Sequence, residues 1–342
     1  MRSTSRESDE SRGTRRMRSA RANFGFAKNI LKPSLSAAAV AAALFLFAGI
    51  YLTHWFTWNE VYDFFGLEPS QTEHIDETSA VADVEEKLEG TCAAITFLNV
   101  GQGDCTVIES GGKVAIIDAG EWTAGDTIIG FLHENGIKRI DYLIATHPHA
   151  DHIGGMSAIL SEFDVGEFML DHYPRELTPT NTTFSRMLEK LISKEMQITL
   201  PANGNSRELG EGKLSVLSSG GYDNLNDCSL VLRFDYGKKS FLFMGDAGFA
   251  VEDVLIDTGA QLKSDVLKLG HHGSQYSTSG DFFALVSPQY AVASCGKDNR
   301  YSYPAPDIVR LVESGGARLF RTDLDRRVEM TTDGENISVH LR

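Results

Sequence analysis

The segment Thr146-His147-Pro148-His149-Ala150-Asp151-His152 places three imidazoles and a carboxylate within six residues. It follows the apolar run Tyr142-Leu143-Ile144-Ala145 and precedes Gly154-Gly155, so it reads as a turn between a buried strand and a helix. Imidazole nitrogens and carboxylate oxygens suit zinc and other borderline divalent ions. A turn can aim several of them at one point, which a strand with alternating faces cannot. On this spacing His147 and His149 hold one ion, and Asp151 and His152 hold a second.

Further polar islands close other apolar runs. Asp246, in Phe243-Met244-Gly245-Asp246-Ala247, ends a strand where a carboxylate either faces solvent or is compensated by a cation; here it is read as a bridge between two metals. Leu267-Lys268-Leu269-Gly270-His271-His272-Gly273-Ser274 ends another strand in paired histidines, which alone is a polar turn and together with the first loop completes a dinuclear set. In Ile116-Ile117-Asp118-Ala119-Gly120 the carboxylate is expected to orient the metal loop by hydrogen bonding rather than to bind an ion. Asn99-Val-Gly-Gln-Gly-Asp104 has two glycines that permit a tight approach to whatever lies above its strand.

The elements that position these islands follow from periodicity. Strands are expected at 93–99, 104–110, 113–118, 140–145, 214–218, 229–235, 239–244, 265–269, 290–294, 317–320, 326–331 and 336–341. Helices are expected at 124–134, after Gly155, and at 184–195, 248–257, 280–286 and 305–314. With no repeat or second linker after Cys92, residues 91–342 read as one α/β domain of two sheets packed face to face with helices outside, a four-layer αββα sandwich.

The rest of the chain has a different character. Residues 1–33 are basic and poor in large apolar side chains, the composition of a disordered tail. Residues 34–58 carry no formal charge and are long enough for one transmembrane helix, with Tyr51, Trp55 and Trp58 near its far end. A cleaved signal peptide competes with that reading, but the apolar run is longer than a typical signal core. Residues 1–32 hold nine Lys/Arg against three Asp/Glu, so the positive-inside rule puts the tail in the cytoplasm and the domain outside the cell membrane. Residues 59–90 form an acidic linker. Of the net charge of −15, the part beyond residue 32 carries −21, which opposes tight non-specific binding of long polyanions. Cys92, Cys105, Cys228 and Cys295 allow one disulfide and require none.

The ordered set Asp118, His147-x-His149-x-Asp151-His152, Asp246 and His271/His272 resembles the metallo-β-lactamase superfamily of metal-dependent hydrolases. Asn99-Val-Gly-Gln-Gly-Asp104, Gly245-Asp246-Ala247, His271-His272-Gly273-Ser274 and Gly296-x-x-Asn299-x-Tyr301-x-x-Pro304 are similar to the branch formed by the C-terminal domain of the DNA-uptake protein ComEC and the bacterial phosphorylcholine esterases. The resemblance covers residues 93–342. It implies the metallo-β-lactamase sandwich and two divalent ions, zinc or manganese, held by His147, His149, Asp151, His152, Asp246 and His272, with no organic cofactor. Asp151, Asp246 and His271 would serve the catalytic step, His271 by contacting a phosphate or acting as general acid. Asp104, Asp118, Asp227, Ser229, Ser274, Asn299 and Tyr301 would support the ligands or touch substrate.

Three departures stand out against that pattern. Asn224-Leu-Asn226-Asp227-Cys228-Ser229 occupies the place where many superfamily members carry a further histidine ligand, leaving the first ion to Asp227 or water. Tyr303 stands where the branch often has histidine, and Asn99 where an aspartate is common. The implied activity is phosphodiester hydrolysis: paired ions lower the pKa of a bridging water toward roughly 7 and neutralise charge on the phosphoryl oxygen. Single-stranded DNA or a cell-envelope phosphodiester is the expected substrate. The alternatives are a membrane-tethered binding module with an incomplete metal site and a hydrolase of β-lactams or other esters and amides.

Overall fold

The computed structural model describes residues 92–342; the tail, membrane helix and acidic linker expected before them lie outside the described residues. Among the described residues no helix is long and apolar enough to cross a membrane.

Strands β1 (Ala93–Phe97), β2 (Thr106–Ser110) and β3 (Lys113–Ile117) pair antiparallel. The chain then crosses repeatedly, so that β4 (Arg139–Ala145), β5 (Asp164–Leu170) and β6 (Ile198–Thr199) extend the sheet in parallel. The crossings run through α1 (Gly125–Glu134), through α2 (Ala150–Ile153) with α3 (Met156–Glu162), and through α4 (Thr182–Ser193). The second sheet repeats this plan. Strands β7 (Ser206–Leu209), β8 (Gly212–Ser218), β9 (Val231–Tyr236) and β10 (Lys239–Phe243) are antiparallel. After α5 (Phe249–Asp257), α6 (Gly280–Val286) and α7 (Pro306–Ser314), strands β11 (Val266–Lys268), β12 (Tyr290–Ala293) and β13 (Arg318–Arg321) add in parallel to β10. Beyond the short α8 (Thr322–Asp325), β14 (Val328–Thr332) and β15 (Ile337–Leu341) return to the first sheet beside β1.

Alternation along the strands divides the apolar side chains among three cores, because successive residues point to opposite faces. In β3, Ala115 and Ile117 face the second sheet, while Val114 and Ile116 meet Ile128, Leu132 and Ile159 of α1 and α3. In β10, Phe241 and Phe243 point between the sheets, where Phe243 lies 6.2 Å from Phe97, and Leu242 packs with Val251, Leu255 and Phe282 of α5 and α6. Both faces of these strands are covered, which is why they read as continuous apolar runs.

The expected strands and helices are present with ends shifted by a few residues, but β5, β6, β7 and α8 were not anticipated, and α2 holds Asp151 and His152 in helix where the sequence reads a turn. In β5 only the last three residues are fully buried, and Gly166 interrupts the alternation where a Cβ would come within 2.8 Å of the Asp141 carbonyl oxygen. All four cysteines are free.

Candidate metal centre

Each sheet has one strand at which pairing changes from antiparallel to parallel, β3 in the first and β10 in the second. Asp118 directly follows β3 and Asp246 lies just beyond β10. The loops after β4, β11 and β12 bring the His147–His152 segment, His271–Ser274 and Gly296–Pro304 to the same region, the carboxyl ends of parallel strands where open sheets receive ligands.

Asp246 sits at the middle, buried, with its two oxygens facing different partners. Its Oδ2 lies 3.7 Å from His147 Nε2 and 3.6 Å from His271 Nε2. Its Oδ1 lies 3.1 Å from His152 Nε2 and 3.6 Å from His272 Nε2. His149 Nδ1 approaches His147 Nε2 at 3.0 Å, and Asp151 Oδ2 approaches His272 Nε2 at 3.3 Å. His147, His152 and Asp246 form one group able to hold an ion, and Asp151, His152 and His272 another. His152 Nε2, His272 Nε2 and Asp246 Oδ1 are buried and make no hydrogen bond. Buried polar atoms are rarely left so, and three of them converging is what a divalent cation satisfies; the donor set therefore fits the metals that the resemblance implies.

The other ring nitrogens are fixed from behind. His152 Nδ1 meets Asp118 Oδ2 at 2.8 Å, and Asp118 also accepts from the Thr146 amide and hydroxyl, each at 2.8 Å. His272 Nδ1 lies 3.1 Å from Asp104 Oδ1 and 2.9 Å from the Ser294 carbonyl oxygen. Asp104 in turn is paired with the buried Lys268 at 2.7 Å. His147 Nδ1 lies 3.2 Å from both Thr146 Oγ1 and Ser229 Oγ. Such contacts select the tautomer that points the free nitrogen inward. The Asn99–Asp104 loop passes close against the metal loop: Asp104 N donates to Asp151 O at 3.1 Å, and a Cβ on Gly103 would stand 2.4 Å from that oxygen. Asp118, His271 and His272 have positive φ, a conformation costing about 1–3 kcal/mol in a residue with a side chain and recurrent at functional sites.

Electrostatics separate the imidazoles. Burial and the neighbouring His152 push His147 well below its ordinary pKa, so its ring is neutral and has a lone pair to donate. Burial also lowers His149. At His152 burial is outweighed by Asp246 and Asp118, which hold it well above its usual value. At Asp246 burial is outweighed by His152 and His272, which hold the carboxyl well below the usual range.

Of the remaining residues expected to support ligands or substrate, Ser229 accepts from the Asp246 amide at 3.0 Å beside His147. Asp227 is directed elsewhere: its oxygens take Gly248 N at 2.8 Å and Asn224 Nδ2 at 2.6 Å, and it joins no ligand group. Ser274 accepts the Tyr303 hydroxyl at 3.1 Å. Asn299 braces its own loop through Gly296 O, Tyr303 O and Tyr303 N. Tyr301 is exposed and stacks on Tyr303. Lys268 was missed from sequence; an isolated lysine inside Val266-Leu267-Lys268-Leu269 was its only signal.

This fold and this donor set define a class: the chain belongs to the metallo-beta-lactamase superfamily, which residues 98–297 match. Among curated relatives it is similar to ComE operon protein 3 of Bacillus subtilis (strain 168), 28% identical over 256 residues that cover 69% of this chain and 32% of that one. It is also similar to Competence protein ComA of Neisseria gonorrhoeae, 30% identical over 234 residues covering 68% and 31%. The chain thus spans about a third of the length of these relatives. Among solved structures, the metallo hydrolase Igni18 from Ignicoccus hospitalis has a TM-score of 0.47 at 17% identity, covering 69% of this chain and 98% of that one.

Proposed function

We propose that this protein is a metal-dependent phosphodiesterase whose hydrolase domain, residues 91–342, stands outside the cell membrane on the 59–90 linker and the 34–58 helix. The observation that carries the catalytic reading is the convergence of three buried atoms that meet no partner in hydrogen-bond geometry, His152 Nε2 and His272 Nε2 lying 3.1 and 3.6 Å from Asp246 Oδ1. His147, His149 and Asp246 would hold one divalent ion, and Asp151, His152, His272 and Asp246 the other. When bound, two such ions activate water and offset charge on a phosphoryl oxygen.

The chain's own groups supply the remainder. Asp118 and Asp104 keep the imidazoles of His152 and His272 turned inward. Ser229 holds the backbone of Asp246 and the far side of His147. His271 is partly exposed, as is His149, and its Nε2 lies 3.6 Å from Asp246 Oδ2, a position from which it can meet a substrate phosphate or pass a proton to the leaving oxygen. A relative named as a competence protein supports a nucleic-acid-related phosphodiester.

The test is hydrolysis of bis-p-nitrophenyl phosphate and of single-stranded DNA by the full chain with added zinc or manganese. Turnover that needs the metal and disappears in Asp246→Ala is expected. A loaded protein that cleaves β-lactams and ignores every phosphodiester would overturn the substrate class, and one inert toward all of them would favour a tethered binding module. Protease added to intact cells should degrade the domain; full protection would overturn its external placement.

A further inference from the structure

Behind the imidazoles of His152 and His272 lies a small polar space between the two sheets. It is lined by Asp104, Thr106, Asp118, Thr146 and Lys268, all of them buried, and has room for about one water molecule. Thr106 shares the inner face of β2 with Ile108, and Lys268 that of β11 with Val266, so both sheets contribute to it.

The groups around this space do not satisfy one another. The Lys268 ammonium has three N–H donors and meets two acceptors among the described residues, Asp104 Oδ2 at 2.7 Å and Leu269 O at 3.0 Å. A third donor remains beside the space. Asp118 Oδ1 takes one hydrogen bond, from the Thr146 amide, and a carboxylate oxygen can accept two. The Thr106 hydroxyl borders the same space.

Spacing points to the same occupant. An oxygen of Asp104, an oxygen of Asp118 and a nitrogen of His152 lie within 4.8 Å of one another. Two acceptors that share one tetrahedral water stand about 4.5 Å apart. Buried carboxylates this close repel unless something polar stands between them. A further cation would face the Lys268 ammonium, whereas a neutral water accepts from that ammonium and donates to both anions.

We propose that one buried water occupies this space, accepting from Lys268 Nζ, donating to Asp104 and Asp118, and meeting the Thr106 hydroxyl as its fourth partner. It joins the two carboxylates into a single support for the ion held by His152 and His272. The proposal rests on the assignment of those two imidazoles to one ion and is independent of the reaction that ion serves. Lys268 and Thr146, which share no direct bond, then act on the same network, so losses at the two sides are not independent.

Three measurements on the full chain test it, and none depends on turnover. A high-resolution crystal structure of the metal-loaded protein should show one ordered water within hydrogen-bond distance of Lys268 Nζ and of both carboxylates; a space without it overturns the proposal. In urea unfolding of the metal-free protein, the fold-changes in the unfolding constant for Lys268→Met and Thr146→Val should not multiply. The double variant should fall short of their product by at least about threefold, and the full product overturns the proposal. Thr106→Val keeps the side-chain volume, touches no metal ligand and removes one partner of the water. It should weaken zinc on the ion held by His152 and His272 by about threefold or more in competition with a chelator, while the other ion is retained as before. Unchanged zinc retention in Thr106→Val with an unaltered melting curve overturns the proposal.

Discussion

The two imidazoles that face Asp246 Oδ1 are each backed by a buried carboxylate, yet the backing differs in kind. Behind His152, Asp118 is met by that ring and by the Thr146 amide and hydroxyl, it forms no ion pair with a lysine or arginine among the described residues, and burial keeps its pKa raised. Behind His272, Asp104 is just as buried, but Lys268 and His272 outweigh that burial and hold its pKa down at about 2. Both anions face an imidazole; the first adds the Thr146 amide and hydroxyl, whereas the second adds the full ammonium charge of Lys268. The first arrangement loses stability in small steps. The second fails all at once, because removing one partner of a buried ion pair leaves an uncompensated charge.

The largest expected effect removes what the two sides share. Asp246→Ala should lower bis-p-nitrophenyl phosphate turnover by at least about 10³-fold and strip both ions, read by kinetics with metal analysis. A variant that keeps two ions and its rate would show that the pairs do not converge on Asp246. Next comes the contrast itself. Lys268→Met should cost about 3–5 kcal/mol in urea unfolding of the metal-free protein. Thr146→Val, on the other side, should cost about 1–3 kcal/mol. Combining Lys268→Met with Asp104→Asn should recover part of the first loss; equal costs for the two single variants would dissolve the contrast. A smaller change is expected at the ion facing Ser229 in place of a further histidine: His147→Ala with His149→Ala should release one ion and retain the other. Two tightly held ions in that variant would contradict the assignment.

How far the sequence carries this picture depends on whether a contact is local. His147, His149, Asp151 and His152 lie within six residues, on the loop after β4 and the first turn of α2, and Asp246 and His272 each follow an apolar run, so residue type and position point to one site. Lys268 is different. It shares the inner face of β11 with Val266, between the sheets, and its partner Asp104 comes from a loop of the opposite sheet 164 residues earlier. Alternation alone reads such a lysine as a solvent-facing position, because only the packing of the second sheet covers it. The same limit hid β5 and β7, whose Glu167 and Arg207 form a two-bonded pair at 2.7 and 2.9 Å that no local pattern announces. Tyr303 was visible as a departure from a motif, but its place against His271 and His272 needed the fold.

A third carboxylate–imidazole pair sharpens the comparison by being open. Asp171 and His172 follow β5, next to the strand that carries the metal loop, and His172 Nδ1 lies 3.3 Å from Asp171 Oδ1. Here the carboxylate is buried and also accepts from Gly220 N, while the imidazole is about half exposed. The hydrogen bond to Asp171 raises His172 above its ordinary pKa. A group raised on folding contributes stability that is fully present below its unfolded pKa, near 6.5, and is lost as pH rises through the higher folded value. Solvent screening keeps that contribution under about 1 kcal/mol. Urea unfolding from pH 6 to 8 should therefore show a slight decline that His172→Gln flattens, with metal content unchanged. Loss of an ion in His172→Gln would place this pair with the two buried ones and make the support of the centre threefold rather than twofold.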